Sequence, residues 1–108
     1  FSVGAALLTD DGEIFTGVNV ENVSFGLTNC AERTAFFKAI SEGKRKFSAI
    51  AVAGGDTYLP PCGACRQVMA EFCNEDFTIL LGKNDDEYES LTLSALLPFS
   101  FSKKNIDK

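Results

Sequence analysis

Two short motifs that carry cysteines constrain this chain more than any other feature. They are Asn29–Arg33 (NCAER) and Pro61–Gln67 (PCGACRQ), and together they hold three of the four cysteines. Each motif has the pattern of a helix beginning. Structural zinc takes four protein ligands, whereas catalytic zinc has three and leaves the fourth tetrahedral position for water. We therefore expect a hydrolytic zinc site whose ligands are Cys30, Cys62 and Cys65.

The order of the predicted elements explains how the two motifs would meet. The order is β-β-α-β-α-β with a further short strand, which predicts an α/β sandwich. If the two β-α-β units are parallel crossovers, both helices begin at the edge of the sheet where open α/β sheets bind ligands. The polar loop after the second strand leaves from the same edge. The predicted strands are Val3–Leu8, Glu13–Val20, Phe47–Ala53, Phe77–Leu81 and Tyr88–Leu91, and the predicted helical segments are Cys30–Glu42, Gly63–Cys73 and Thr92–Leu97. The apolar run Phe47–Ala53 is typical of a strand that is covered on both faces.

The chain contains no histidine, which limits the chemistry available to it. Ser-His-Asp catalysis, Cys-His catalysis and histidine-ligated metals are excluded. Proton transfer near pH 7 must then fall to a tuned carboxylate or to water activated by a metal. Glu32 is our candidate, although Asn29-x-x-Glu32 also fits a capping box in which Glu32 bonds back to the Asn29 amide. In a regular helix, Cys30 and Glu32 would point about 200° apart, so a shared target must lie beyond the helix end.

The cysteine motifs also have alternative interpretations. Cys62-x-x-Cys65 at a strand-to-helix junction resembles a thioredoxin-like redox motif, but the third thiol of Cys30 favours a metal site. Cys73 lies on the inner stripe of the second helix and is predicted to be a core residue. If Cys73 were a ligand, the site would be a closed, non-catalytic Cys₄ zinc module.

Three thiolates carry one negative charge more than Zn²⁺ neutralises, and this excess should make a bound water less acidic. Arg33 and Arg66 each neighbour a ligand in sequence. We expect at least one of them to donate a hydrogen bond to a thiolate sulfur.

Composition narrows the class of protein further. A chain of 108 residues fits one domain. Its net charge of −5 and pI near 4.6 argue against nucleic acid as a partner, since such binders carry a basic stripe. No apolar stretch approaches the length of about 20 residues that spans a membrane. The chain begins without Met, so we expect that its natural start is missing, and its cysteine use indicates a reducing, cytoplasmic compartment.

The two cysteine motifs, together with Phe1–Ala6 (FSVGAA) and Asn19–Asn22 (NVEN), resemble cytidine deaminases of the free-nucleoside, zinc-dependent type. The resemblance covers nearly the whole chain in matching order, and the motifs fit the zinc deaminase signature. It implies a single domain over 1–108 with a three-layer α-β-α sandwich and a mixed sheet of about five strands. It further implies one Zn²⁺ per subunit, with Glu32 moving protons while cytidine or deoxycytidine is hydrolysed to uridine or deoxyuridine and ammonia, as in pyrimidine salvage.

The resemblance also assigns residues that bind the substrate. Phe1 would stack on the base, Asn19 and Glu21 would bind the sugar hydroxyls, and the Ala31 backbone would bind the pyrimidine edge. Phe101 matches an aromatic residue that reaches into a neighbouring subunit's site, which implies a homotetramer.

Physical arguments favour a nucleoside substrate within this class of enzyme. The Glu21 carboxylate suits neutral hydroxyls and would repel a 5′-phosphate. The acidic composition argues against a deaminase that edits polynucleotides. A deaminase of a related cytosine-containing nucleoside is the other alternative. Three features depart from the family pattern: an absent N-terminal helix, Phe25 where relatives often carry Tyr, and Pro60 where Ser is more usual.

Overall fold

A mixed five-stranded sheet with the order β2-β1-β3-β4-β5 forms the centre of the fold. The computed structural model describes residues 2–24, 27–54, 61–83 and 87–97. The strands are β1 (Gly4–Thr9), β2 (Ile14–Val18), β3 (Phe47–Ala53), β4 (Thr78–Gly82) and β5 (Tyr88–Thr92), and the helices are α1 (Ala31–Ser41), α2 (Gly63–Phe72) and α3 (Leu93–Leu96). Strands β3 and β4 are parallel, and the other neighbouring pairs are antiparallel. The predicted α/β fold with a mixed sheet of five strands is confirmed.

Local sequence signals fix the ends of these elements. The hairpin between β1 and β2 turns at Gly12, whose φ of 89° is a conformation that glycine adopts without steric cost. Helix α1 is followed, after its C-cap residue Glu42, by Gly43 with φ 90°. There the Gly43 amide donates to Ile40 and the Lys44 amide donates to Ala39, which is the hydrogen-bond pattern of a Schellman motif. Gly12 lies between the predicted strands Val3–Leu8 and Glu13–Val20, and Gly43 directly follows the predicted helix Cys30–Glu42.

The core lies on one face of the sheet. Alternate residues of the central strands are buried there, and α1 and α2 contribute to the same cluster, so both helices pack on this face. The buried strand residues are Ala5, Leu7, Ile50, Val52, Ile79 and Leu81. On the opposite face, Leu8 is 37% exposed, and Ala51 and Ala53 are also exposed. The prediction that Phe47–Ala53 is covered on both faces is therefore wrong for the described residues, because alanines supply the apolar pattern at its exposed positions.

The crossovers bring the two helix N-termini to one edge, as predicted. Strands β2 and β3 both run antiparallel to β1 and are therefore parallel to each other. Helix α1 follows β2 and helix α2 follows β3, so each helix begins beyond the carboxyl end of a parallel strand. Helices α1 and α2 also contact each other. No helix in the described ranges is both long enough and apolar enough to cross a membrane.

The first turn of α1 lies directly against the backbone of β2 at Gly17. A Cβ atom at Gly17 would lie 2.6 Å from the Ala35 nitrogen and closer still to the Ala31 carbonyl oxygen. Glycine inside a strand often marks such a close approach of backbones. Gly17 therefore sets the depth at which α1, and the motif at its N-terminus, rests on the sheet.

We expect Gly17→Ala to lower the free energy of unfolding by roughly 1–3 kcal/mol, the range for forcing an extra methyl group into a packed interior. Urea unfolding would measure the change. The matched control is Gly63→Ala, since a Cβ atom at Gly63 meets nothing within 4 Å. Equal stability of the two variants would contradict the packing argument.

Candidate metal centre and active site

Cys30 and Cys62 occupy the same structural position, because each is the N-cap residue of a helix. Cys30 has φ −73° and ψ 155°, and Cys62 has φ −67° and ψ 168°, so both are extended rather than helical. The Cys62 sulfur accepts a hydrogen bond from the Cys65 amide at 3.4 Å. Because Cys30 precedes the helix, the angular separation of a regular helix does not apply to Cys30 and Glu32. The predicted obstacle to a shared target is thereby removed.

The sulfur atoms of Cys30, Cys62 and Cys65 form one cluster. Cys62 Sγ lies 3.4 Å from Cys30 Sγ and 3.3 Å from Cys65 Sγ, and all three sulfurs lie within 4.8 Å of one another. Sulfurs that share a tetrahedral zinc ion at about 2.3 Å lie about 3.8 Å apart, so a small outward movement accommodates the ion. All three thiols are free, which excludes a disulfide among them in this structure. The cluster fits one Zn²⁺.

Cys73 stands apart from this cluster. It is the C-cap residue of α2, at the opposite end of the helix from Cys62. The seven-residue step from Cys65 to Phe72 alone spans about 10 Å of helix axis. Cys73 packs against the core, and burial raises the pKa of its thiol to about 12. This is the core position that the sequence predicted, and it leaves a Cys₄ site without its fourth thiol.

The electrostatics of the cluster call for a cation. Burial acts to raise the pKa of Cys62, but hydrogen bonds from the Cys65 amide and the neighbouring thiols, with the charge of Arg33, outweigh it and lower the pKa. The pKa of Cys65 is raised by burial, by its contact with Cys62 and by the negative charge of Glu32. If the three thiols and the carboxyl group all ionise, their negative charges repel one another, and a divalent cation would relieve that repulsion.

Arg33 supplies a second positive group beside the sulfurs. Its Nη2 donates to Cys30 Sγ at 3.5 Å and to the Thr28 carbonyl at 3.4 Å. The hydrogen bond to Cys30 raises the pKa of Arg33, and interactions with Cys65 act in the same direction. Arg33 Nε is buried with no hydrogen-bond partner, which suits a guanidinium held against electron-rich sulfur. The expectation that Arg33 or Arg66 donates to a thiolate is confirmed for Arg33, whereas Arg66 donates to the Pro61 and Leu96 carbonyls.

Glu32 lies in the first turn of α1 and is only 5% exposed. Its pKa is raised, mainly because burial disfavours the charged carboxylate, although a hydrogen bond from its own amide and the charge of Arg33 oppose the shift. It follows the Cys30 N-cap by two residues, and its negative charge contributes to the raised pKa of Cys65. A carboxyl group whose pKa moves up from its ordinary value is better matched to proton transfer near neutral pH.

The capping-box interpretation of Glu32 is wrong. The backbone amide of Asn29, which Glu32 would need, donates instead to the Val20 carbonyl at 2.9 Å. The Val20 amide in turn donates to the Asn29 carbonyl at 2.8 Å. The Asn29 side chain donates to Thr34 Oγ1 at 2.9 Å. The tertiary Val20–Asn29 bridge thus takes the donor that a local cap requires.

Asn19 and Glu21 form a second polar group, at the end of β2. Asn19 Nδ2 donates to Glu21 Oε1 at 2.7 Å, and Asn19 Oδ1 accepts from the Val3 amide at 2.9 Å. The Val20–Asn29 bridge joins this segment to the residue next to Cys30. The structure therefore fixes the Asn19–Glu21 pair relative to the metal cluster.

The structure says less about the other site residues that the sequence predicts. Ala31 is the first residue of α1 and is completely buried. Phe1 and Phe101, like the atypical Phe25 and Pro60, lie outside the described residues. Sequence reasoning missed the bonds that Thr34 makes and the close contact at Gly17. A glycine within the predicted second strand was a signal for the contact at Gly17 but not for the bonds of Thr34.

Comparison with known proteins places this site in a family. The sequence profile of the cytidine and deoxycytidylate deaminase zinc-binding region matches residues 1–81. The chain belongs to this deaminase family. A cytidine deaminase of Halalkalibacterium halodurans is 54% identical over 109 residues, covering 99% of this chain and 82% of that protein. A cytidine deaminase of Sporosarcina psychrophila is also 54% identical, covering 98% and 79%.

Solved structures agree with the family assignment. The crystal structure of cytidine deaminase from Burkholderia pseudomallei superposes with a TM-score of 0.89 at 48% sequence identity. The match covers 94% of this chain and 82% of that chain. The fold and the zinc-binding deaminase signature therefore point to the same family.

We expect Cys73→Ser to retain one zinc ion per chain, because Cys73 lies at the far end of α2 from the cluster. The zinc content of Cys30→Ser and of Cys62→Ser should be well below one ion per chain, since removal of a thiolate weakens a three-sulfur site. Elemental analysis of the purified variants would measure the metal content. Loss of zinc from Cys73→Ser would restore the Cys₄ interpretation.

Proposed function

We propose that this chain hydrolyses the 4-amino group of cytidine and deoxycytidine to give uridine or deoxyuridine and ammonia, the reaction of pyrimidine salvage. The observation that carries the proposal is the convergence of three thiols at two helix N-termini, with a buried Glu32 in the first turn of the helix that Cys30 caps. Bound Zn²⁺ acts as a Lewis acid and makes water nucleophilic near neutral pH. Cys30, Cys62 and Cys65 would hold that ion.

Glu32 would move the protons of the reaction. Its carboxylate accepts a proton from the attacking water and delivers it to ring N3 of the cytosine. It then passes the second proton of the water to the departing amine, so that one water enters and one ammonia leaves. Burial supports this cycle, because a carboxyl group with a raised pKa holds a proton more readily than an exposed one.

Arg33 would adjust the charge of the site. Three thiolates carry one negative charge more than the cation neutralises, and Arg33 places its own charge against Cys30. Its hydrogen bond withdraws electron density from the sulfur, which keeps the metal a stronger Lewis acid.

The sugar end of the substrate would lie on Asn19 and Glu21. The hydrogen bond between these side chains holds both in place before substrate arrives. A carboxylate and an amide suit the donors and acceptors of sugar hydroxyls. Family resemblance adds Phe1 as the stacking partner of the base, and the Ala31 backbone as a contact for the pyrimidine edge.

The wider setting of the reaction is part of the same proposal. We infer that residues 1–108 act as one deaminase domain, since buried residues from α1, α2, β1, β3 and β4 form one core cluster. The family aromatic at Phe101 suggests a homotetramer. The net charge of −5 favours a small nucleoside over nucleic acid, and four free cysteines suit a reducing cytoplasm.

We expect Glu32→Gln to lower kcat for cytidine by about 10²–10⁴-fold, the usual contribution of a general acid–base group, while one zinc stays bound. The fall in ultraviolet absorbance as cytidine becomes uridine measures kcat, and elemental analysis measures zinc. Glu42→Gln is the matched control, because Glu42 is exposed at the opposite end of the same helix. Full activity in Glu32→Gln would remove the proposed mechanism.

The substrate class gives a separate prediction. Glu21→Gln should raise KM for cytidine with little change in kcat, because Glu21 would bind the sugar and not the reacting ring. The same change should narrow the preference for cytidine over cytidine 5′-monophosphate, since it removes a charge that repels the phosphate. Steady-state kinetics on both substrates would test this. A wild-type chain that prefers the monophosphate would overturn the nucleoside assignment.

A further inference from the structure

Arg66 ties two separate parts of the fold together through its side chain. Its Nε donates to the Pro61 carbonyl at 2.7 Å, and its Nη1 donates to the Leu96 carbonyl at 2.8 Å. Its backbone amide donates to the Cys62 carbonyl at 3.0 Å as the helical bond that follows the N-cap. Arg66 therefore contacts both the carbonyl of the peptide that joins Pro61 to Cys62 and the carbonyl of Cys62 itself.

The Leu96 end of this connection is firmly anchored. Leu96 is the last residue of α3, and its carbonyl is one of those that a helix leaves without an internal partner. Helix α3 is attached to the segment before β4, because the Leu93 amide donates to Phe77 and the Ser94 amide donates to Glu75, both at 3.0 Å. The planar guanidinium can reach two carbonyls at once from a fixed fork, and a positive charge suits a helix C-terminus.

The Pro61 end of the connection leads directly to a metal-site residue. Pro61 is fully buried, and the next residue, Cys62, carries the sulfur that contacts both of the other thiols. Cys62 is also the most exposed of the three cysteines, so surrounding side chains restrict it least. The hydrogen bond at Pro61 is therefore well placed to fix the position of its sulfur.

We propose that Arg66 is a positioning residue that holds Cys62 in its metal-binding position by tying the Pro61 peptide to the end of α3. This role differs from that of Arg33, which acts on a sulfur directly. The inference rests on the proposed function only in taking Cys62 as a zinc ligand.

Arg45 offers a matched control on the same chain. Its Nη1 donates to the Ile40 carbonyl at 2.9 Å and to the Lys44 carbonyl at 2.8 Å, so it also spans two backbone acceptors. Both acceptors lie at the C-terminal end of α1 and beyond, whereas Cys30 caps the N-terminal end. Substitution of Arg45 thus removes contacts of the same kind, but at the opposite end of α1 from Cys30.

The test measures zinc affinity of the purified holoprotein by competition with a chromophoric zinc chelator. Arg66→Gln should bind zinc about 10- to 100-fold more weakly than wild type, as is typical when a residue that orients a ligand is removed. The zinc affinity of Arg45→Gln should stay within about twofold of the wild-type value. The zinc affinity of Arg66→Lys should lie between those of wild type and Arg66→Gln, because an ammonium group lacks the planar fork of donors that spans both carbonyls.

A second measurement separates positioning from general stability. With zinc in excess, Arg66→Gln should recover kcat for cytidine, since the metal ion then compensates for its weaker site. Unchanged zinc affinity in Arg66→Gln, or an equal loss in Arg45→Gln, would overturn the proposal. If both Arg66 variants fail to fold while Arg45→Gln folds, Arg66 is a general structural anchor and the proposal is also overturned. Zinc affinity stays measurable even if wild type does not deaminate cytidine, so failure of the proposed function would be seen separately.

Discussion

The convergence of two helix N-termini is the constraint on which the site depends. Strands β2, β3 and β4 run parallel to one another across the sheet, and the two helices that connect them begin at the same edge. Each helix is capped by a cysteine, so its thiol lies where unpaired amides carry partial positive charge. The topology thus gathers sulfur atoms that are distant in sequence at one edge of the sheet.

The same geometry determines which groups can assist the cluster. Residues in the first turn of α1 lie next to the sulfurs, and this turn supplies both a buried carboxyl group, Glu32, and a cation, Arg33. Their opposite charges act on the site in different ways. The cation acts on a sulfur that belongs to the metal site, whereas the carboxyl group, with its pKa raised by burial, is suited to exchanging protons.

Much of this arrangement could be predicted from the sequence because the decisive signals are local. The two cysteine motifs have the pattern of helix starts, and the rule for parallel crossovers then predicts that Cys30 lies near Cys62. The hydrogen-bond partner of the Asn29 amide could not be predicted in this way, because Val20 lies on the other side of the loop that precedes α1. Burial of β3 was misjudged for a related reason, since Ala51 and Ala53 fit an apolar pattern but are small enough to stand exposed. The role of Arg66 depends on Leu96, which is far away in sequence and close only in the folded chain.

The paired hydrogen bonds between Val20 and Asn29 have a consequence for how this protein tolerates change. They close the loop between them at its base, so Asn19, which precedes the bridge, and Cys30, which follows it, are joined by a direct backbone contact as well as by the loop. Because the entropy of closing a loop grows only slowly with its length, extra residues between the two ends cost little. The length of this loop can therefore change while the bridge still holds Asn29, the residue before Cys30, against Val20.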